Sequence, residues 1–410
     1  MSSLFAQIRR SSSLGVVSAS LAARVATLLI LAGAAAMLDQ SAYNALVYVL
    51  AVSSAAQVLL DPGTANLIIV RWPELSPGGR WELWRSGFRL QLLACVGVAV
   101  STPIVVGAAL GSRTYLGLAA AVGILAGAEG LLRYARVTWQ AEARFRSFAL
   151  ADAAIAVGRV VALGGLLLGG ITGLSVTCVV VAVPVGLAAW FLARPRHRDA
   201  VGSRLTLRAL VPEVWPYGAS TFFSSFYSQM PAVLLGLAGT IQAAAVYSVA
   251  SRLTQPTELV PGAIASVYLP RLVALGEVAR TKVFREQLGR AVTAGGVIAA
   301  GLAVLSPVLL PLFGIPFSEG WPTFLLLAAV VPVKFGNYQL VALAIAQGRI
   351  RGRLVSSVVI AGASVPLVLV VASRGAGAVA LVTLGCELCL ALLLTRVSDP
   401  FLRRRLVEAG

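Results

Sequence analysis

Four basic side chains lie in the middle of long apolar stretches of this 410-residue chain: Arg24, Arg159, Arg252 and Lys334. A charged side chain at the centre of a bilayer costs at least about 2.5–3.5 kcal/mol, so it normally faces a bundle interior or a water-filled cavity. In such a low-dielectric place Arg and Lys bind phosphate strongly, and Arg can do so with two parallel hydrogen bonds. The four residues therefore predict a cationic cavity that binds an anionic substrate.

Acidic residues at similar depth offer an alternative, in which the buried charges pair within the protein. Glu387, Glu258 and Asp61 are the candidates for such ion pairs, or for a group that binds and releases a coupling ion. Arg159 or Lys334 bound to Glu387 or Glu258 would stabilise the bundle without contacting a substrate. Both interpretations stay open at this point.

The amino-acid composition indicates the class of protein, and so the kind of secondary structure, in which these charged residues lie. Apolar residues make up 58% of the chain and charged residues only 12%, and the mean hydropathy is +0.88. Soluble domains have about 45–50% apolar and about 25% charged residues, which excludes a soluble nucleic-acid binder despite the net charge of +17. The apolar content excludes a disordered chain, and 4 Cys exclude a disulfide scaffold. An all-α polytopic membrane protein is what these exclusions leave.

A bilayer span needs about 20 apolar residues, and the chain divides into twelve such runs. No amino-terminal segment has the pattern of a cleavable signal peptide. The least distinct division is that between the fifth and sixth runs, at Gly169 and Gly170. The twelve predicted spans are 14–38, 42–70, 88–110, 115–134, 148–169, 172–193, 214–237, 241–269, 291–313, 323–346, 354–372 and 376–395.

The distribution of basic residues gives the expected orientation. Lys and Arg collect in cytoplasmic loops, and of the 33 basic residues 27 fall on one side of the twelve spans, 2 on the other and 4 inside. Both termini are therefore expected to be cytoplasmic in a multi-pass protein of the cell membrane. The 27 residues have a sufficient role in orienting the helices and attracting anionic lipid. Among them, Arg133 stands four residues after Glu129, a spacing that allows a local ion pair on one helix face.

An internal repeat relates the two halves of the chain. Residues 48–63 have counterparts 199 positions later, including a Tyr and a Pro-Gly pair, and residues 141–146 resemble residues 346–351 at a spacing of 205. Similar halves with an even number of helices are parallel repeats, which are common in transporters. The predicted lobes are residues 1–200 and residues 201–410.

Helix-breaking residues recur in the second helix of each lobe. Pro lacks a backbone N–H and its ring collides with the preceding turn, so it kinks a helix. Kinks are expected at Pro62, Gly63, Pro256 and Pro261.

Two segments carry a resemblance to a known family. The first has Tyr43, then Leu60-Asp61-Pro62-Gly63 and Arg71, and the second has Ala245-Val246-Tyr247-Ser248-Val249-Ala250-Ser251-Arg252-Leu253, then Leu269-Pro270-Arg271. With the helix count and the two halves, the chain resembles the polysaccharide and O-antigen flippases of the multidrug/oligosaccharidyl-lipid/polysaccharide (MOP) exporter superfamily. It departs from the family pattern at Ala42, Asn44 and Ala245, where family members often have Gly beside the two tyrosines.

The resemblance implies two six-helix lobes that form a V around a central cavity and alternate between inward and outward openings. It implies a polyprenyl-pyrophosphate-linked oligosaccharide as substrate, moved from the cytoplasmic to the outer leaflet for surface polysaccharide (lipopolysaccharide O-antigen) biosynthesis. Arg24 and Arg252 would line the cavity by position. The expected partners are this substrate, membrane lipids and glycosyltransferases or a polymerase of polysaccharide assembly, with no nucleic acid. No cofactor, metal or catalytic residue is expected.

Three other functions compete with this one. A MATE-like drug/cation antiporter would share the fold but favour an acidic site, and a lipid II (peptidoglycan-precursor) flippase would move similar chemistry. A membrane glycan polymerase or ligase would be an enzyme, but such enzymes usually carry a sizeable extracytoplasmic loop. Cys386 and Cys389 have CxxC spacing without a second metal-binding pair, and His197 has no evident acid or nucleophile beside it, so packing and solvation explain them.

Overall fold

A computed structural model gives the fold of the chain. It describes residues 21–22, 24–60, 64, 67–68, 72, 75–141, 145–193, 207–262, 264–265, 272, 275 and 277–398. Within these ranges the structure is helical and contains no strand, as an all-α membrane protein requires. Eight of the described helices are long and apolar enough to cross a membrane. The protein is therefore a multi-pass membrane protein.

The described residues divide into two compact units, one that ends at Ser225 and one that begins at Phe226. The helices of unit 1 and the helix that continues past its end are α1 (Arg24–Met37), α2 (Gln40–Ala56), α3 (Pro77–Leu110), α4 (Arg113–Ala141), the stretch Phe145–Ala193 and α7 (Leu207–Ala238). The other helices of unit 2 are α8 (Ile241–Thr254), α9 (Glu277–Leu312), α10 (Phe317–Ala346), α11 (Ile350–Val371) and α12 (Ala376–Ser398).

The long stretch Phe145–Ala193 consists of two helices. Gly169 (φ −141°) and Gly170 (φ +58°) interrupt it, and the second value lies in the left-handed region that favours glycine. We call the two arms α5 (145–168) and α6 (171–193). Each of the twelve predicted spans thus corresponds to one helix of the described chain, and the predicted division at Gly169 and Gly170 is confirmed.

Local sequence signals set the helix boundaries. The side chains of Asp39, Ser76 and Thr240 accept hydrogen bonds from backbone N–H groups three residues later, which caps α2, α3 and α8. At the other end of α3, Gly111 adopts φ +65° and its N–H donates to the carbonyl of Gly107. Such caps satisfy backbone groups that a helix end leaves without partners.

The same local features recur in both units about 200 residues apart. Helix α2 continues as a 3-10 segment at Gln57–Leu60, and α8 does so at Gln255–Glu258, which contains Pro256. Arg80 Nε donates to the carbonyl of Trp72 at 2.9 Å, and Arg280 Nε donates to that of Leu272 at 2.8 Å. The predicted lobe boundary at residue 200 stays a prediction.

Apolar side chains cover the outer faces of the peripheral helices. Helices α3 and α9 are mostly exposed, whereas α4 and α10 are mostly buried. Large apolar residues that are more than half exposed include Leu93, Val100, Ile104, Val297, Val304 and Val308. In a bilayer these side chains face lipid, so polar chemistry is confined to the inner faces of the helices.

The α5–α6 hairpin provides a test of this packing. Gly173→Ala is expected to lower the free energy of unfolding by about 1–3 kcal/mol, because the new Cβ would collide with the carbonyl oxygen of Gly165. Gly164→Ala is the matched control: its Cβ would meet no atom within 4 Å, and Ala favours a helix over Gly by up to about 1 kcal/mol. Thermal midpoints of the detergent-purified variants measure the difference. Equal midpoints would contradict the close approach of the two helices.

Candidate functional site

A buried carboxylate, Glu129 on α4, is the centre of the charged site in unit 1. Its side chain is only 5% exposed. Arg159 on α5 holds it with two hydrogen bonds, from Nε to Oε1 at 3.1 Å and from Nη2 to Oε2 at 2.9 Å. The third nitrogen of this guanidinium, Nη1, donates to Thr27 Oγ1 on α1 at 2.7 Å. One ion pair therefore joins three helices, and every nitrogen of Arg159 has a partner.

Three further arginines of unit 1 interact electrostatically with residues of this site. Arg133, one turn after Glu129, contacts Glu129 Oε2 through Nη2 at 3.4 Å, which confirms the local pair that the spacing allows. The charges of Arg24 and Arg159 act on Arg133, and that of Arg136 acts on both Arg133 and Glu129. We call Arg24, Arg133, Arg136 and Arg159 the arginine cluster. Among the described residues, Glu129 is the one carboxylate within it.

Aromatic packing fixes the part of α4 that carries Arg133. The hydroxyl of the next residue, Tyr134, donates to the carbonyl of Trp84 on α3 at 2.8 Å. The rings of Trp84 and Phe88 stack with centroids 5.2 Å apart, and both contact the Tyr134 ring. Trp84, Phe88 and Tyr134 are all buried. Since α3 and α4 are joined here on one side, the arginines of α4 project from a rigid helix.

Unit 2 contains a second buried charge network, centred on Lys334 of α10. Its Nζ lies 2.7 Å from Glu258 Oε1 and 3.8 Å from Glu387 Oε1. Glu258 belongs to the 3-10 segment after α8, two residues beyond Pro256, and Glu387 lies on α12. Two carboxylates thus share one ammonium group. We call Lys334, Glu258 and Glu387 the lysine network.

Neutral side chains complete the lysine network around Glu387, which is only 2% exposed. Tyr227 on α7 donates to Glu387 Oε1 at 3.2 Å, and Asn337 Nδ2 on α10 donates to Oε2 at 2.8 Å. Close by, the hydroxyls of Tyr247 on α8 and Thr383 on α12 lie 2.9 Å apart. A buried carboxylate is tolerated when its oxygens are hydrogen-bonded in this way.

The predicted cations occupy different surroundings in the structure. Lys334 pairs with Glu258 and Glu387, as the ion-pair alternative anticipated. The carboxylate that pairs with Arg159 is Glu129, which that alternative did not name, because Glu129 lies on the adjacent helix α4. Arg252 on α8 donates from Nε to Ser248 Oγ at 3.4 Å, within unit 2. Arg24 lies on α1, three residues before Thr27 and so on the same helix face.

The predicted helix-breaking residues are described only in the second half. Pro256 lies in the 3-10 segment and Pro261 in the helical residues 259–262 that follow it. Asp61, Pro62 and Gly63 lie outside the described residues. No group of three or more side chains of metal-binding type occurs in the part of the chain that the structure describes. The role of Arg24, Arg159, Arg252 and Lys334 in substrate binding stays a prediction.

The sequence does not assign several residues of these networks to a charged site. Apart from the local spacing of Arg133 and Glu129, Arg133 and Arg136 belong to the orienting basic residues, and no sequence pattern gives Thr27 or Asn337 a charged partner. A usable signal exists for the Arg159–Glu129 pair, because the two residues stand fifteen positions on either side of residue 144, between two adjacent spans. Antiparallel neighbours bring such positions to the same depth.

Solved structures with the same fold include transporters of the MOP superfamily. No protein-family model matches the sequence, and neither does any curated protein. An inward-facing multidrug resistance MATE family transporter of this superfamily shares 15% identity, with 96% of this chain and 94% of that chain covered and a TM-score of 0.65. Lipid II flippase MurJ in an inward closed conformation shares 12%, with 94% and 86% covered and a TM-score of 0.70. A MOP superfamily transporter from Pyrococcus furiosus shares 14%, with 97% and 96% covered and a TM-score of 0.61.

The chain therefore shares the fold of these solved structures. The identities are too low to carry a substrate from any of these proteins to this one. The substrate class has to be inferred from the charges of the two units.

The unit 1 ion pair predicts a large stability effect. Arg159→Ala is expected to lower the free energy of unfolding by about 3–5 kcal/mol, because it leaves the Glu129 carboxylate buried without its main partner. Combining it with Glu129→Gln is expected to recover much of the loss, since an amide needs no counter-charge. Thr27→Val removes the neutral hydroxyl that accepts from Arg159 and leaves the Arg159–Glu129 ion pair in place, so it should cost less, on the order of 1 kcal/mol. Thermal or denaturant unfolding in detergent tests the series, and an Arg159→Ala variant no less stable than Thr27→Val would contradict it.

The lysine network predicts unequal coupling to its two carboxylates. In double-mutant cycles of Lys334→Met with Glu258→Gln and with Glu387→Gln, the Glu258 cycle should give the larger interaction energy. The reason is the 2.7 Å against the 3.8 Å separation, and contacting residues couple by about 0.5–3 kcal/mol. Unfolding free energies of the four variants in each cycle give the result. A larger coupling in the Glu387 cycle would show that the lysine bonds to the other carboxylate.

Proposed function

We propose that this protein is a membrane transporter that flips a polyprenyl-pyrophosphate-linked oligosaccharide from the cytoplasmic to the outer leaflet by alternating access. The observation that carries the proposal is the arginine cluster of unit 1, where four guanidinium groups accompany Glu129. The MOP transporter fold supports a transport function, and the charge of the cluster favours an anionic substrate.

The physical reason is the cost of moving a charged glycan head group across hydrocarbon. The lipid tail can stay in the bilayer, but the pyrophosphate and the sugars need a hydrated and cationic path across about 30 Å. Arginine supplies the charge and the paired hydrogen bonds that a phosphate group prefers. In this proposal Arg24 of α1 and Arg252 of α8 are each substrate-binding residues, and the product enters surface polysaccharide biosynthesis.

A second candidate is a drug/cation antiporter, because MATE family transporters share the fold. The observation in its favour is the pair of carboxylates in the lysine network, which could bind an organic cation or a coupling ion. The Lys334 ammonium already neutralises part of this charge at 2.7 Å. Lipid II flippase activity is a variant of the main proposal, since the MurJ structure shares the fold and its named substrate is also a lipid.

Two substitutions test the main proposal. Arg24→Ala and Arg252→Ala are each expected to lower transport of a pyrophosphate-linked oligosaccharide about tenfold, the equivalent of one charge-assisted hydrogen bond, without lowering membrane abundance. Transport is measured as the accumulation of the glycan on the far side of reconstituted vesicles. Arg290→Ala, an exposed arginine of α9, is the matched control for loss of one positive charge. Unchanged transport in both variants would overturn the assignment.

Binding separates the two candidate functions. Wild-type protein in nanodiscs should be stabilised by polyprenyl pyrophosphate and not by organic cations such as ethidium. The opposite result would favour the antiporter, because the carboxylates of unit 2 and not the arginines of unit 1 would then be the ligands.

A further inference from the structure

The arginines of unit 1 differ in how fully their hydrogen-bonding groups are occupied. All three nitrogens of Arg159 donate to Glu129 or Thr27 at 2.7–3.1 Å. Arg133 makes one long contact of 3.4 Å, and it goes to Glu129 Oε2, which already accepts from Arg159 at 2.9 Å. The structure gives Arg133 no other hydrogen bond among the residues it describes. Arg159 is therefore committed to structure, whereas Arg133 has donors to spare.

Exposure separates the same two residues. The side chain of Arg133 is 35% exposed and that of Arg159 is 20% exposed. An incoming group can reach Arg133 without breaking the Arg159–Glu129 pair. It would only replace a carboxylate oxygen at 3.4 Å, which is a weak contact.

Like charges around Arg133 add a reason for an anionic ligand. Arg136 follows by three residues on the same helix face, and its charge acts on Arg133. Arg24 and Arg159 act on Arg133 as well. Like charges three residues apart on one helix face repel each other. A ligand with two or more negative charges would relieve this repulsion.

The position of Arg133 along α4 fits a particular group. It stands eight residues before the end of the helix at Ala141, about 12 Å at 1.5 Å per residue. That end is the one that the charge distribution predicts to be cytoplasmic. A phosphate group of a lipid in the cytoplasmic leaflet lies near this depth, at the boundary of the hydrocarbon.

We propose that Arg133, with Arg136, binds the pyrophosphate of the lipid-linked substrate as it enters from the cytoplasmic leaflet, and that Glu129 occupies this site as an internal anion until then. The inference rests on the proposed function and adds the residues that receive the charged group. Arg159 is a positioning residue, since it holds Glu129 and does not contact the ligand. The choice of arginine matters here, because a guanidinium can bind two phosphate oxygens at once and an ammonium cannot.

The experiment measures polyprenyl pyrophosphate binding to the full chain in nanodiscs of uncharged lipid. Arg133→Gln is expected to weaken binding at least about tenfold, the loss of one charge-assisted hydrogen bond or more. Arg133→Lys should give an intermediate loss, because it keeps the charge but not the paired geometry. Arg290→Gln, at the exposed arginine of α9, should bind as wild type does. Thermal midpoints without ligand should be similar for Arg133→Gln and Arg290→Gln, since the Arg133 substitution removes only the weak 3.4 Å interaction with Glu129.

The outcomes are distinguishable. If wild type binds polyprenyl pyrophosphate and Arg133→Gln binds it equally well, the site is wrong while the proposed function stands. If the wild-type protein does not bind polyprenyl pyrophosphate at all, the result contradicts the proposed function and, with it, the site at Arg133. A parallel titration with phosphatidylglycerol identifies the other source of phosphate: an Arg133→Gln effect confined to that lipid would make this a headgroup site and would overturn the inference.

Discussion

Two buried carboxylates impose the main constraint on this protein. Glu129 and Glu387 are almost fully enclosed in apolar helical bundles, and an ionised carboxylate in such a place is tolerated only if it is paired and hydrogen-bonded. Each one is satisfied through contacts that link separate helices: α1, α4 and α5 around Glu129, and α7, α10 and α12 around Glu387. Helix association in a membrane has little help from the hydrophobic effect. The ion pairs and hydrogen bonds of Glu129 and Glu387 therefore join particular helices to one another at these two positions.

The two halves use one scaffold with opposite charges at corresponding places. Glu129 stands twelve residues before the end of α4 and Lys334 stands twelve before the end of α10, in helices related by the spacing of 205. A carboxylate in unit 1 thus corresponds to an ammonium in unit 2. The neighbouring side chains have the opposite charge in each unit: arginines lie near Glu129, and carboxylates lie near Lys334. Corresponding helices thus give each unit a buried charge at the same position along the helix, and the surrounding sequence gives that charge partners of opposite sign.

The sequence was sufficient to predict the helices, but it predicted only some of the side-chain contacts between them. Apolar length and the glycine pair at 169 and 170 predicted twelve helices, because those signals are local. The i, i+4 pair of Glu129 and Arg133 is local too, and Lys334 had few acidic residues at its depth to choose from. The partner of Arg159 is harder to predict, because Glu129 on α4 is 30 residues away in sequence. The pair can be recognised only when the two antiparallel helices are aligned so that both residues lie at the same depth. The exposure of the Arg133 side chain could not be predicted from the sequence, because it depends on how neighbouring helices pack around α4.

Occupancy of hydrogen-bonding groups separates structural charges from charges that are available to a ligand. The proposed transport function requires that the substrate is bound and also released, so in that proposal the ligand exchanges with a contact of similar strength inside the protein. Arg159 cannot take part in such an exchange without exposing Glu129 to an apolar interior, and it would lose three short hydrogen bonds. Arg133 gives up one long contact and leaves the Arg159–Glu129 pair intact. Arg159 is therefore the structural partner of Glu129 in unit 1, whereas the contact between Arg133 and Glu129 is the weaker one, which is why the proposed phosphate site is placed at Arg133.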